Sequence, residues 1–245
     1  MIWLRSAAFN IWFFTLTLVL CLLWLPLAPF GARWAMAFAR QWARLVLWGL
    51  RVICGIRWRV SGLEYLPREG PALIASMHQS AFDTLVWVLL APRFAYVVKQ
   101  ELMRLPVFGA AMRRAGMIPV DRRAGATALR TLLRHADRAR AEHRQVVIFP
   151  EGTRVVPGQR VKLQPGVAAL AARMGVPVIP VVTDSGEHWG RRAFRKQPGV
   201  IHVALLAPLP ASPGRDDLLA RLAEAFSTGL SRPVDNSVGQ ASRRL

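Results

Sequence analysis

Acidic residues are scarce in this 245-residue chain: 14 stand against 33 lysines and arginines, and none occurs before Glu64. The formal charge of +19 points to anionic partners, whether a lipid surface, a nucleic acid or a phosphorylated substrate. Cysteine is scarcer still. Cys21 and Cys54 both lie in apolar runs, and two thiols are too few for a disulfide framework or a cysteine-based zinc or iron–sulfur site, so a cytosolic redox setting is expected. The sequence also lacks a G-x4-G-K-[ST] phosphate loop, an H-E-x-x-H zinc motif and a G-x-S-x-G nucleophile elbow, which leaves those three chemistries without support. Internal repeats and long low-complexity segments are absent too. What is plentiful is apolar: 53% of residues are hydrophobic and the mean hydropathy is +0.28, which excludes a disordered chain. The length suits one domain with a modest extra segment.

That extra segment comes first. No charged residue appears between Arg5 and Arg33, and the stretch from Ala7 to Leu25 is apolar over about 19 residues, roughly 28 Å as helix, enough to span or deeply enter a bilayer. Pro26 and Pro29 are expected to end it, because proline lacks an amide hydrogen and disfavours helix in the preceding residue. The alternatives are a cleaved signal peptide and a buried core helix. The run exceeds a usual signal core and the basic excess follows it, so an uncleaved anchor is expected. Arginines on the downstream side would hold the rest of the chain on the cytoplasmic side of the cell inner membrane. From Gly31 to Ile56, Arg33, Arg40, Arg44 and Arg51 fall within about 40° of one another at helical spacing, with Trp34, Trp42 and Trp48 elsewhere. Such a helix suits the membrane interface with its stripe toward anionic headgroups, or else the surface of the globular part.

From about Arg57 short β-branched runs alternate with helical stretches. Strands are predicted at 72–76, 94–98, 117–120, 145–149, 177–182 and 200–206, and helices near 82–90, 102–115, 124–142 and 167–174. This is an α/β pattern: a mostly parallel or mixed sheet flanked by helices, preceded by the hydrophobic helical anchoring segment. The expected division is 1–57 for the anchoring helices, 58–230 for the globular domain and 231–245 for a solvated tail.

Polar residues gather where predicted strands turn into helices, the usual place for sites in open α/β sheets. Met77-His78-Gln79-Ser80-Ala81-Phe82-Asp83 follows one such strand. If His78 and Asp83 were both helical they would sit about 140° apart, so they can meet only with His78 in the turn and Asp83 in the first helical turn. An aspartate accepting the Nδ1 hydrogen would leave Nε2 as a base and stabilise the imidazolium formed on proton uptake. The same residues also read as a capping box, with Ser80 as N-cap, or as metal ligands; base and cap can hold together. Phe149-Pro150-Glu151-Gly152-Thr153-Arg154 follows another strand. Gly152 permits close backbone approach, and Thr153 and Arg154 offer a hydroxyl and a fork of donors suited to phosphate, although a plain turn with a solvated charge pair fits as well. Asp121-Arg122 ends a third strand, as a surface ion pair or an anion site. In Val176-Pro-Val-Ile-Pro180-Val the prolines point to an edge strand or a close-packed loop. His135, His143, His188 and His202 are expected to be solvated or packing residues.

These four blocks, in this order, resemble the glycerolipid acyltransferase family of the 1-acyl-sn-glycerol-3-phosphate acyltransferase type, over about residues 60 to 210. Val98-Lys99-Gln100-Glu101-Leu102 is similar to the family's lysine–glutamate–leucine segment. Ser185-Gly-Glu-His-Trp189-Gly-Arg191, with Lys196 and Pro198-Gly199, resembles bacterial members. The resemblance implies that 58–230 is a catalytic domain moving a fatty acyl group from coenzyme A or acyl carrier protein to the sn-2 hydroxyl of a lysophosphatidate, with no acyl-enzyme and no cofactor beyond the thioester co-substrate. His78 would be the base and Asp83 its orienting carboxylate. Lys99, Arg122 and Arg154 would grip the phosphate, and Glu151, Gly152 and Thr153 would shape the pocket. Membrane phospholipid, the acceptor and the thioester carrier are the implied partners. Competing expectations are the same chemistry on another lysophospholipid or a lyso-ornithine lipid, and a membrane scaffold without catalysis. A nucleic-acid-binding protein would use the basic stretch from Arg122 to Arg144, but Asp137 and Glu142 interrupt it and no zinc-finger or ribonucleoprotein-sheet signature accompanies it, so no nucleic-acid partner is expected.

Overall fold

Residues 1–24, 31–121, 123–211 and 214–229 are described by a computed structural model of the chain; Pro26, Pro29, Arg122 and the expected tail lie outside them. Seven strands pair into one sheet in the order β1-β7-β6-β2-β5-β3-β4. They are β1 (Ile56–Ser61), β2 (Ala72–Ser76), β3 (Phe94–Lys99), β4 (Ile118–Val120), β5 (Gln145–Ile148), β6 (Val178–Thr183) and β7 (Gly199–Leu205). Neighbours run parallel except β6 and β7, so the sheet is mixed.

The period of two along each strand builds two core layers. Ala72 and Ile74 of β2 face one, Leu73 and Ala75 the other. The first layer is covered by α1 (Ile2–Trp24), α2 (Ala32–Cys54), α3 (Phe82–Leu90) and α4 (Phe108–Arg114), the second by α5 (Gly125–Ala141), α6 (Gly166–Met174) and α8 (Arg215–Gly229). Because both faces are covered, every residue of β2 is buried, which is why its sequence is a continuous apolar run rather than an alternation. A single-turn helix, α7 (Ser185–His188), follows β6. Strands β6, β2 and β5 are adjacent and parallel, so the loops leaving their C-terminal ends lie side by side.

Two expectations are corrected. The stretch predicted as one helix at 102–115 is a 3-10 turn, Gln100–Arg104, followed by α4, because Pro106 cannot donate an amide hydrogen and pushes Leu105 into extended backbone (φ −63°, ψ 129°). Pro180 lies neither on an edge strand nor in a loop but inside β6, between β2 and β7. It is accommodated because the β7 ladder begins at Val181, and at Pro180 only the carbonyl is used, accepting from the Leu206 N–H at 2.9 Å.

Helices α1 and α2 form an antiparallel hairpin. Trp12 Nε1–H donates to the Leu45 carbonyl (3.3 Å) and Trp42 Nε1–H to Thr17 Oγ1 (3.0 Å). Gly49 lies beneath the Trp12 indole, where a Cβ would collide with the ring. Helix α2 packs on the globular part through Ala43, Val46, Leu47 and Leu50, which are buried on its inner face, while Arg33, Arg44 and Arg51 are exposed and Arg40 donates to the Pro92 carbonyl. Helix α1 is not a core helix, since its buried residues are Ser6, Phe9 and Trp24. It is long and apolar enough to cross a membrane. Leu4, Ile11, Phe14, Leu18 and Leu22, at helical spacing, form one face that is 56% to 76% exposed.

The first half of α1 is nonetheless fastened to the globular part. Ser6 Oγ accepts from the Lys196 N–H (2.9 Å), Asn10 Oδ1 accepts from the Lys196 ammonium (2.6 Å), and Phe9 meets Trp189 edge-on at 5.4 Å. Lys196 is buried among the rings of Phe9, Trp189 and Phe194, and also donates to the Ala193 and Phe194 carbonyls.

Candidate active site

The turn between β2 and α3 carries His78, and the first turn of α3 carries Asp83, with His78 Nδ1 3.2 Å from Asp83 Oδ2. The same oxygen accepts the backbone N–H groups of Gln79 and Ser80, each at 2.7 Å, while Ser80 Oγ accepts from the Phe82 N–H at 3.1 Å. Ala81 rather than Ser80 occupies the N-cap. The carboxylate that gathers the amides of the turn before the helix also holds the ring. An oxygen already accepting two amide hydrogens acts as acceptor, so Nδ1 is the ring nitrogen that donates here. Asp83 is 2% exposed and the His78 side chain 14%, which shields the pair while leaving the ring reachable.

The loop after β5 builds the other wall. His78 N–H donates to Glu151 Oε1 (3.0 Å) and the His78 carbonyl accepts from the Val155 N–H (2.7 Å), so this loop clamps the histidine backbone on both sides. The Phe149 ring stacks on the imidazole with centroids 4.1 Å apart and 21° between planes, and Tyr96 stacks behind Phe149. Arg154 is half-buried near Asp83, with Arg191 and Arg192 beside it; burial lowers its pKa, opposed by the Asp83 charge. The arrangement places an imidazole, a carboxylate bonded to it and a cationic group at one end of the sheet.

Residues 57–184 match the family model described as Acyltransferase. The chain is 37% identical over 180 residues to the 1-acyl-sn-glycerol-3-phosphate acyltransferase of Pseudomonas aeruginosa, covering 74% of this chain and 69% of that protein. The chain belongs to the 1-acyl-sn-glycerol-3-phosphate acyltransferase family. The 1-acyl-sn-glycerol-3-phosphate acyltransferase alpha of Homo sapiens is 30% identical over 183 residues, covering 74% of this acyltransferase and 65% of the human protein. The fold is also that of the 1-acyl-sn-glycerophosphate (LPA) acyltransferase PlsC from Thermotoga maritima, whose crystal structure matches with a TM-score of 0.78 at 19% identity, over 94% of this chain and 97% of that one.

In this acyltransferase the structure gathers His78, Asp83, Glu151, Gly152 and Arg154 around the β2 and β5 loops. Gly152 has φ +73°, a left-handed conformation that favours glycine. Thr153 is exposed beside it. Lys99 is exposed at the C-terminal end of β3, and among the described residues no hydrogen bond or ion pair links it to the His78 cluster. Arg122 lies outside the described residues; its neighbour Asp121 accepts from the Arg123 N–H (2.9 Å). Sequence reasoning missed Ser185 and Gln79 as members of the site, the stacking role of Phe149, and the approach of Arg192. The signals for Ser185 were its place two residues after the end of β6 and its membership of the Ser185–Arg191 stretch that resembles bacterial members. His202, expected to be solvated or packing, is partly exposed and also pairs with Asp184 (Nδ1 to Oδ2 2.8 Å).

Glu151, implied by resemblance to shape the substrate pocket, turns its carboxylate inward. It is buried, Oε1 accepts from His78, and among the described residues Oε2 has no hydrogen-bond partner. Burial pushes its pKa up to about 7, opposed by the two backbone N–H groups it faces and aided by Asp83. Raising an acid's folded pKa above its unfolded value of 4.5 makes the folded state the better proton binder, so the associated stability is full below pH 4.5 and lost as pH rises through about 7. The total is about 3 kcal/mol. Glu151→Gln keeps the acceptor for His78 and removes the titration. Denaturation in detergent should find the variant more stable than wild type at pH 8 and equal to it near pH 4; parallel curves would contradict the buried-acid account.

Proposed function

We propose that this acyltransferase moves a fatty acyl group from acyl-CoA or acyl carrier protein to the sn-2 hydroxyl of 1-acyl-glycerol-3-phosphate, giving phosphatidic acid, with His78 as general base. The observation that carries the reading is the His78–Asp83 pair, whose carboxylate fixes Nδ1 as the protonated nitrogen and leaves Nε2 for the acceptor. The acceptor hydroxyl gives its proton to Nε2 as its oxygen attacks the thioester carbonyl. The tetrahedral intermediate then collapses, the C–S bond breaks, and the leaving thiolate takes the proton back from the imidazolium. The acceptor oxygen is itself the nucleophile, so no acyl-enzyme and no cofactor beyond the co-substrate enter the scheme.

A phosphomonoester carries nearly two negative charges. Arg154 is our choice for its first contact, supported by the nearness of Arg191 and Arg192, with Lys99 and Arg122 as further cations and Gly152 and Thr153 shaping the turn. We assign 1–57 to membrane anchoring, 58–230 to catalysis and 231–245 to a tail, at the cytoplasmic face of the cell inner membrane. The exposed apolar face of α1 and the outward arginines of α2 support a phospholipid contact.

The direct test is the purified protein assayed with a panel of lysolipids against both acyl-CoA and acyl carrier protein donors. Turnover confined to lysophosphatidate is expected; preference for another lysophospholipid or a lyso-ornithine lipid would reassign the acceptor. Arg154→Ala should raise KM for lysophosphatidate at least about tenfold while changing KM for the thioester less than about twofold. Equal changes for both substrates would remove Arg154 from the phosphate site.

A further inference from the structure

We propose that Ser185 is a positioning residue for the acid–base pair, acting on His78 through the second oxygen of Asp83; the proposal rests on the reading of His78 as base. Asp83 is buried, and its Oδ2 is occupied by His78 Nδ1 and by the amides of Gln79 and Ser80. Oδ1 accepts instead from the Ser185 hydroxyl, at 2.5 Å and with Ser185 wholly buried. A carboxylate can only accept and a serine hydroxyl has one hydrogen to give, so the direction of this bond is settled by its chemistry.

The contact joins residues 102 positions apart and is built on both sides. Thr183 Oγ1 accepts from the Ser185 N–H (3.1 Å), which fixes the residue as β6 ends, and the Gly186 N–H donates to the buried Gln79 side chain at 3.0 Å. A Cβ at Gly186 would stand 2.9 Å from Gln79 Cβ and 2.8 Å from Pro157 Cγ, closer than packed carbons come, so only glycine lets this turn reach the histidine loop. The β6 turn and the β2 turn thereby meet at one carboxylate, beside the β5 loop that clamps the His78 backbone.

The hydroxyl has two consequences. It fixes the plane of the carboxylate, and hence the direction in which Nε2 points. It also withdraws charge from Asp83, so that the proton taken from the acceptor stays on the imidazole ring. Removing it leaves Oδ1 buried and unpaired, freer to rotate and more basic. A more basic carboxylate favours the imidazolium, so His78 would remain protonated to higher pH and the acid limb of the rate profile would move upward. The other titratable groups facing the pair are Glu151 and Arg154 of the β5 loop and Tyr96 of β3, all retained in the variant.

In full-length protein in detergent, Ser185→Ala should lower kcat about tenfold, leave both KM values within about twofold, and move the acid limb up by about half a pH unit or more. Ser185→Thr, which restores the hydroxyl, should recover most of the rate. On the residual rate of His78→Ala, adding Ser185→Ala should cost nothing further, because the two residues act as one unit. Wild-type kcat and pH profile in Ser185→Ala, or an additional loss on the His78→Ala background, would overturn the role of Ser185 and leave the base assignment standing. A near-normal rate in His78→Ala would overturn the base assignment itself. If Ser185→Ala does not accumulate folded, Ser185→Cys keeps the volume with a weaker donor: the same fall is expected, and an unchanged rate would overturn the proposal.

Discussion

His78→Ala is expected to lower kcat by about 1,000-fold while leaving membrane association unchanged. A positioned base supplies roughly a hundred- to ten-thousand-fold, and alanine removes it without disturbing the fastenings of the loop, because Glu151 and Val155 hold the backbone of residue 78 rather than its ring. The ring does pack against Phe149, so a thermal melt should accompany the assay; a modest fall in midpoint with a large fall in rate separates chemistry from packing. A purified variant turning over at near-normal rate would require another base, and the described geometry offers no second histidine within the β2–β5 cluster.

The second large effect concerns the membrane. Ile11, Phe14 and Leu18 lie on the exposed face of α1, pointing away from the globular core. Fully burying one such side chain is worth about 1.5–3 kcal/mol, so the triple change Ile11→Glu, Phe14→Glu, Leu18→Glu removes several kcal/mol of partitioning and adds three anions opposite anionic lipid. Sedimentation with vesicles containing anionic phospholipid should show binding reduced at least about 100-fold. Turnover of a short-chain, water-soluble acceptor in detergent should stay within about threefold. Vesicle binding equal to wild type would mean that some other surface meets the bilayer.

Much of this architecture was legible beforehand. The boundaries of β2 and α3 coincide with the predicted ones because a buried strand is a continuous apolar run and the polar turn that follows it separates it from the apolar helix. Rotational spacing gave the condition under which His78 can meet Asp83, a histidine in the turn and an aspartate in the first helical turn, and the structure meets it. Elements whose stabilisation is long-range were less visible. Strand β1 alternates arginine with apolar residues, and its pairing with β7, over a hundred residues later, cannot be seen in its own composition. Helix α8 buries only Leu218, Leu222 and Phe226, too narrow a stripe to stand out in a polar stretch. Pro180 misled because proline's prohibition applies to the amide side of a ladder, and where a ladder begins is a tertiary fact. The Ser185 bond to Asp83 was hidden for the same reason: only the adjacency of β6 and β2 joins two residues 102 positions apart.

The fastening of Ser6 and Asn10 to Lys196 bears on how the chain is born. Synthesis proceeds from the amino end, so the first helix leaves the ribosome 190 residues ahead of the lysine that Ser6 binds. During that interval Phe9 and Asn10 have neither Trp189 nor an ammonium to pair with. The closing of that joint would then be among the last folding events. Protein made without the first dozen residues would lack more than a mooring: it would carry an interior cation with one ligand missing and an uncovered tryptophan.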